Sequence, residues 1–302
     1  MIDLHVHTNY SDGTLSPREL LGCASERGLE ALAVTDHDTV EGVPEALQEG
    51  KRVGVEVVPG VEISAQWERG ILHVLGYFVR TDHPELIETL AYLKQEREDR
   101  NTKILARLHD LDVDISLDEV NREAGCGVPG RPHIAGVMVK KRYVATIQDA
   151  FDRYLKRGAS AYIKKAKLEP IEAMQLIIRA HGLPVLAHPH SLAEEDPSRF
   201  ADTVKRLADH GLQGIEVYYP KHTPDQTRTF LELARRFDLG VTGGTDFHGS
   251  NKPEIELGVV PGQGPLPYSL LSELKERRGQ YASEDLPFSG SLKQSPKAQS
   301  SG

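Results

Sequence analysis

Seven short apolar runs punctuate the chain, at residues 2–6, 31–35, 55–59, 71–79, 184–187, 214–218 and 239–243. Each is of strand length, and amphipathic stretches with helical periodicity separate most of them. Ser16-Pro17-Arg18-Glu19 forms a capping box with proline at the first helical position and opens a helix that runs to about Gly28. Further helical patterns cover 169–181, 197–210 and 224–237. His181 and His210 each directly precede a glycine suited to the C′ position, where the helix dipole favours histidine, so both are assigned to structure. Strands alternating with helices predict an α/β fold with a parallel sheet. Nearly every run ends in a histidine or an acid, which favours a closed barrel whose strand ends converge on one mouth. The stretch 81–161 breaks the rhythm with consecutive helices at 84–111, 116–124 (a second capping box, Ser116 with Glu119), 132–141 and 147–156. It is expected to be a helical insertion lying as a lid over a barrel built from 1–80 and 162–288. The last residues, 289–302, are Ser, Gly, Gln and Lys with almost nothing apolar, and predict a disordered tail.

Composition narrows the function classes. A chain of 302 residues with 39% hydrophobic and 27% charged residues can bury a full globular core. Its net charge of −9 argues against sequence-independent binding of long nucleic acid, which needs a basic face. A small anionic substrate stays compatible, because bound cations reverse the sign inside a carboxylate-lined pocket. Cys23 and Cys126 read as two reduced thiols. No apolar run approaches a membrane span, and a cleaved leader would remove His5 and His7, so a cytoplasmic protein is expected.

The candidate chemistry lies at the ends of the apolar runs. His5-Val6-His7 places two imidazoles on one side of a strand. Asp12 follows, then His37 in Thr35-Asp36-His37-Asp38, Glu62 in Gly60-Val61-Glu62, and His73 in Leu72-His73-Val74. His188 stands in Ala187-His188-Pro189-His190, and Asp246 and His248 in Gly244-Thr245-Asp246-Phe247-His248-Gly249. Neutral imidazole and carboxylate suit manganese, iron or zinc. Nine such groups exceed the needs of one ion, so a polynuclear metal centre and a hydrolase are predicted.

In this order the motifs resemble the PHP (polymerase and histidinol phosphatase) family, over about 1–79 and 162–282. The resemblance implies a distorted (β/α)7 TIM-like barrel and two or three divalent ions, usually manganese, with iron or zinc as substitutes. It implies that His5, His7, Glu62 and Asp246 hold one ion, that Glu62 bridges to a second with His73 and His188, and that Asp12, His37 and His248 hold a third. Two such ions would share a hydroxide that attacks phosphorus. Asp246 would orient that hydroxide and take its proton, while the third ion at His248 and the Arg131 guanidinium neutralise the other phosphoryl oxygens.

Within the family the chain is most similar to bacterial nucleoside 3′,5′-bisphosphate phosphatases that also trim short RNA from its 5′ end. Gly130-Arg131-Pro132-His133-Ile134-Ala135, the stretch from Tyr154-Leu155 to Ala161-Tyr162, and Glu216-Val217-Tyr218-Tyr219 with His222 carry that likeness. It implies a small nucleotide or short RNA as substrate, with Arg131, His133, His222 and His190 as candidate contacts. Relatives commonly carry Gly and then a basic residue after Ala-His-Pro; here His190-Ser191-Leu192 follows, a departure that bears on the phosphate contacts and spares the metal ligands. Lys164, Lys165 and Lys167 read as a solvated face, and Tyr218 and Tyr219 as core. Two other functions are weighed: a phosphatase for histidinol phosphate or another small monoester, and a non-catalytic metal-bound interaction module.

Overall fold

The computed structural model describes residues 1–125 and 129–283. Cys126 and the stretch 289–302, about which expectations were stated, lie outside the described residues. The chain runs β1 (Ile2–Val6), α1 (Pro17–Glu26), β2 (Ala31–Val34), α2 (Val43–Val53), β3 (Glu56–Ala65) and β4 (Leu72–Tyr77). The helices α3 (Pro84–His109), α4 (Leu117–Ala124), α5 (Arg131–Lys140) and α6 (Ile147–Ala150) follow, the last continuing into a π-helical turn, Phe151–Leu155. Then come α7 (Pro170–Arg179), β5 (Leu183–Leu186), α8 (Pro197–Asp209), β6 (Gly214–Tyr218), α9 (Pro224–Arg236) and β7 (Gly240–Gly243), with a small hairpin of β8 (Val259–Val260) and β9 (Gly264–Pro265) before α10 (Ser269–Ser283).

The seven main strands lie in sequence order in one sheet. It closes nearly into a barrel where His7 N–H donates to the Phe247 carbonyl at 2.9 Å and Asp246 N–H to the His5 carbonyl at 2.8 Å. Gly244 permits that closure: a Cβ there would lie 2.4 Å from the His5 Cβ.

The sheet departs from the all-parallel expectation at one strand. β4 is antiparallel to both β3 and β5. The connection 66–71 is too short for a crossover, so the chain turns straight back as a hairpin. β3 is also longer than its apolar run. It pairs with β2 up to Pro59 and with β4 from Gly60 onward, so the Pro-Gly pair marks a change of partner rather than a strand end. A Cβ at Gly60 would lie 2.8 Å from the Val34 carbonyl oxygen, which explains the glycine. Helix α2 escaped the sequence reading. Its N-cap is Gly42, which offers no side-chain cap, and Gly50 interrupts its pattern because Val57 packs where a Cβ would stand.

Both predicted capping boxes form, at Ser16/Glu19 and Ser116/Glu119. His181 itself takes the left-handed conformation (φ 60°) at the end of α7, ahead of the glycine assigned that place.

Two apolar clusters clothe the two faces of the sheet. Leu32 and Val34 of β2 join the cluster with α1, α2, α7, α8 and α9, while Ala31 and Ala33 join the one with α10. A third cluster, including Ile104, Leu108, Val120, Ile134, Met138 and Leu155, is confined to the segment between β4 and β5. Helix α3 belongs to two cores: Leu86, Leu90 and Leu93 pack on the barrel, Ile104, Leu105 and Leu108 in the third cluster. Arg97 and Arg100 occupy the same stripe between them.

Candidate metal centre

Glu62 is the hub of the site. It projects from β3 on the face opposite Val61 and Ile63, is fully buried, and meets five imidazoles. Its Oε1 lies 2.7 Å from His73 Nδ1 and 2.9 Å from His188 Nε2; its Oε2 lies 3.2 Å from His5 Nε2 and 3.1 Å from His37 Nδ1. His7 Nε2 is 3.2 Å from Glu62 and 3.1 Å from Asp246, and His248 Nε2 is 3.1 Å from Asp12. All nine predicted ligands therefore converge. Eight of them, all but His188, fall into three groups able to hold an ion, with candidate ligand atoms within 4.8 Å of one another: His5, His7, Glu62 and Asp246; His37, Glu62 and His73; and His7, Asp12, His37 and His248. The first matches the expected set. In the second, His37 stands where His188 was expected, although His188 also touches Glu62. The third gains His7.

The donors fit divalent cations on the chain's own evidence. His7 Nε2, His37 Nδ1 and Asp12 Oδ1 are buried with no hydrogen-bond partner, and imidazole planes crowd to centroid distances of 4.1 Å (His7 and His248) and 4.5 Å (His7 and His37). Buried polar atoms that lie this close to carboxylates and imidazoles without making hydrogen bonds are costly unless a cation joins them. The electrostatics agree. Burial opposes charge on His5 and His7, yet the surrounding carboxylates raise both, His7 to about 9. Burial drives His37 down to about 3. Glu62 and Asp246 resist burial and stay well below the usual carboxylate range because imidazoles surround them.

Buried carboxylates fix the ligands. Glu216 accepts from His5 Nδ1 (3.0 Å) and from the His188 backbone N–H (2.7 Å), turning His5 Nε2 toward the hub. Asp36 accepts from Thr8 N–H and the Thr8 and Ser11 hydroxyls, and Asp3 from the Thr245 N–H and hydroxyl and from Gly258 N–H. His188 (φ 27°) and Asp246 (φ 55°) sit in left-handed backbone that non-glycine residues rarely adopt. Asp246 Oδ2 is clamped by the Tyr219 hydroxyl (2.8 Å) and Lys252 Nζ (2.6 Å), leaving Oδ1 for His5, His7 and His248.

The centre opens into a cleft of about 800 Å³ walled by both the barrel loops and the segment between β4 and β5. Arg131 and His133 line it at the start of α5; Arg131 donates to the Leu155 carbonyl and lies over Phe151 and Tyr162, and His133 Nδ1 accepts from Gly130 N–H. His190 lines it as well. His222 does not: it packs behind His190 and Tyr219, with Nδ1 on the Val217 carbonyl. Tyr219, read as core, reaches the cleft, and so does Lys165, read as solvated. Lys165 is buried against Asp38 (2.7 Å), where burial lowers it to about 8, and Arg97 closes on the same carboxylate at 2.5 Å.

Sequence reasoning missed Arg100 altogether. It is 6% exposed and lines the cleft; burial lowers it to about 10, with Arg131 and Arg97 adding to the effect. Among the described residues no carboxylate pairs with it. The signal existed: in the stripe Leu86, Leu90, Leu93, Arg97, Arg100, Ile104 and Leu108, two arginines fill positions that helical spacing marks as inward.

Comparison with known proteins follows the same lines. Residues 3–238 match the PHP domain family. The chain is 35% identical over 260 residues to the 5′–3′ exoribonuclease Rnm of Salmonella typhimurium, covering 85% of this chain and 87% of that protein. It is 30% identical over 283 residues to the 3′,5′-nucleoside bisphosphate phosphatase of Chromobacterium violaceum, covering 91% and 97%. A solved metal-dependent phosphoesterase from Bifidobacterium adolescentis superposes with a TM-score of 0.76 at 30% identity, covering 91% of this chain and 96% of its own.

Proposed function

The chain belongs to the PHP domain family, and from that premise we propose that it hydrolyses phosphate esters carrying a second phosphate: nucleoside 3′,5′-bisphosphates, which lose the 3′-phosphate, and short 5′-phosphorylated RNA, which loses mononucleotides from its 5′ end. One observation carries the reading. A single cleft holds both the imidazole–carboxylate centre and a buried guanidinium without an acidic partner, beside two more arginines. Two separate anion sites in one cleft suit a substrate with two phosphates.

We assign the three ligand groups to manganese, with iron or zinc as substitutes. Such ions lower the pKa of bound water toward neutrality and polarise phosphoryl oxygens. The chain's own residues do the rest. Asp246, clamped through Oδ2, keeps Oδ1 oriented toward the centre, where it can take a proton from the attacking water. His248, with Nδ1 on the Asp246 carbonyl, presents Nε2 toward Asp12. Arg100 and Arg131 grip the 5′-phosphate as planar forks, with His133 beside them, so that the neighbouring 3′ ester lies over the centre. The bond between O3′ and phosphorus breaks in both substrates. Residues 81–161 thereby act as a substrate cap on the barrel.

The test is a phosphate-release assay with added Mn²⁺ that compares adenosine 3′,5′-bisphosphate, histidinol phosphate, an aryl phosphate and short 5′-phosphorylated RNA. The expected result is a clear preference for bisphosphate and RNA. Equal or better turnover of substrates lacking the second phosphate would replace this reading with a general monoesterase, and metal-replete protein hydrolysing none of them would leave an interaction module.

A further inference from the structure

Apart from the arginines and the imidazole–carboxylate cluster, the cleft is lined by groups to which the reading above gives no role. Ile71, at the β3–β4 hairpin, is 49% exposed and lines the cleft. Its backbone is tied to the turn after β5: Ile71 N–H donates to the Ser191 carbonyl at 2.7 Å, and the Ser191 hydroxyl donates back to the Ile71 carbonyl at 2.9 Å. The same turn presents His190, whose ring lies 5.2 Å from Tyr219 and whose Nδ1 is buried without a hydrogen-bond partner. Lys221, beyond β6, lines the cleft too, and among the described residues it forms no ion pair or hydrogen bond. An exposed aliphatic side chain, an unsatisfied imidazole and an uncommitted ammonium thus form one continuous wall from the β4, β5 and β6 loops.

The arginines sit elsewhere, on α3 and α5, with Lys165 on the β2–β3 side through Asp38 and Ser64. If the arginines hold the 5′-phosphate of the first nucleotide, the attacked phosphorus lies over the ligand cluster. Its remaining ester substituent, the second nucleotide, must then leave the cluster away from the arginines.

We propose that Ile71, His190 and Lys221 form a downstream subsite for single-stranded RNA, with Ile71 and His190 against the second nucleotide and Lys221 on the phosphate that follows it. The subsite rests on the substrate reading above and extends it to chain length. It involves no bond making. It explains how one centre can serve a mononucleotide and an oligonucleotide: the first occupies the arginine side alone, the second both sides. The wall also contains the His190-Ser191-Leu192 departure, in which an imidazole stands directly after Ala-His-Pro, at the place where relatives commonly carry glycine.

A length series tests it, with adenosine 3′,5′-bisphosphate and 5′-phosphorylated di-, tri- and pentanucleotides on the Mn²⁺-loaded full chain. Lys221→Ala should leave KM for bisphosphate and dinucleotide unchanged, raise KM for the trinucleotide and longer by about three- to tenfold, and flatten the salt dependence of those KM values. Ile71→Ser should raise KM several-fold from the dinucleotide upward and leave the bisphosphate alone. Losses that are equal across the series, or an unchanged trinucleotide KM with an unchanged salt slope in Lys221→Ala, overturn the subsite while the phosphoesterase reading stands. Wild-type protein that cleaves the bisphosphate and no RNA overturns the subsite as well. Failure on every substrate tested would instead defeat the substrate reading itself.

Discussion

The candidate metal centre and the arginine wall of the same cleft are built by opposite rules. At the centre the ligand side chains are short and sit on a strand or the loop after one, and three of the imidazoles are fixed by neighbouring groups: His5 by Glu216, His188 by Glu216 and Ser191, His248 by the Asp246 carbonyl. The wall relies on long side chains thrown from helices, and its members are unequally satisfied. Arg97 is neutralised by Asp38, Arg131 is held by a carbonyl and two rings, and Arg100 has no acidic partner among the described residues. Neighbouring protein groups hold the imidazoles of the centre, whereas the wall keeps a guanidinium that no carboxylate among the described residues neutralises. Under the proposed function, this division separates the chemistry from substrate choice.

The sharpest break of the comparison is at the hub. Glu62→Gln removes the carboxylate shared by two ligand groups and should lower kcat on every substrate, on the order of a thousandfold, bisphosphate and aryl phosphate alike. Glu216→Gln leaves all nine ligands in place yet loosens two of them, so metal affinity should fall about ten- to a hundredfold by titration calorimetry, with kcat recovering at saturating Mn²⁺. Arg100→Gln should do what no change at the centre can: raise KM for adenosine 3′,5′-bisphosphate about ten- to a hundredfold while sparing an aryl phosphate. Thermal stability should hold or rise in that variant, because a buried charge without an acidic partner has been removed. A parallel loss on the aryl phosphate, or a lower melting temperature, would return Arg100 to a structural role.

A smaller effect concerns pH. Without cations His7 titrates near 9 and His5 is also raised, so both keep protons at neutral pH that bound metal must displace. Mn²⁺ affinity should therefore strengthen as pH rises toward 9, with proton release visible as a buffer-dependent binding enthalpy. For the metal-free protein the sign runs the other way. A folded-state value raised above 6.5 contributes stability below pH 6.5 that is lost by about pH 9, so the apo melting temperature should fall across that window.

The same contrast explains what the sequence disclosed. The strand-end histidines and acids stand in short, polar-after-apolar motifs, and the nine that the structure brings together were legible along with both capping boxes and most strands. Glu216, Asp3 and Asp36 were not, because a buried carboxylate that holds another side chain resembles any acid in a strand until its partners are known. Arg97, Arg100 and Lys165 were hidden differently. Charged residues in helical or loop patterns ordinarily face water, and only the interruption of the α3 stripe marks two of them as inward. The reversal of β4 was hidden by strand length alone, since an apolar run carries no direction and only the short connection 66–71 reveals it.

Elemental analysis of fully active protein after exhaustive dialysis asks whether the imidazole–carboxylate cluster is a polynuclear metal centre. Two or three transition-metal ions per chain, with hydrolysis lost on chelation and regained in proportion to the ions restored, is the predicted result. Full phosphoester hydrolysis by protein shown to hold no transition metal would contradict it.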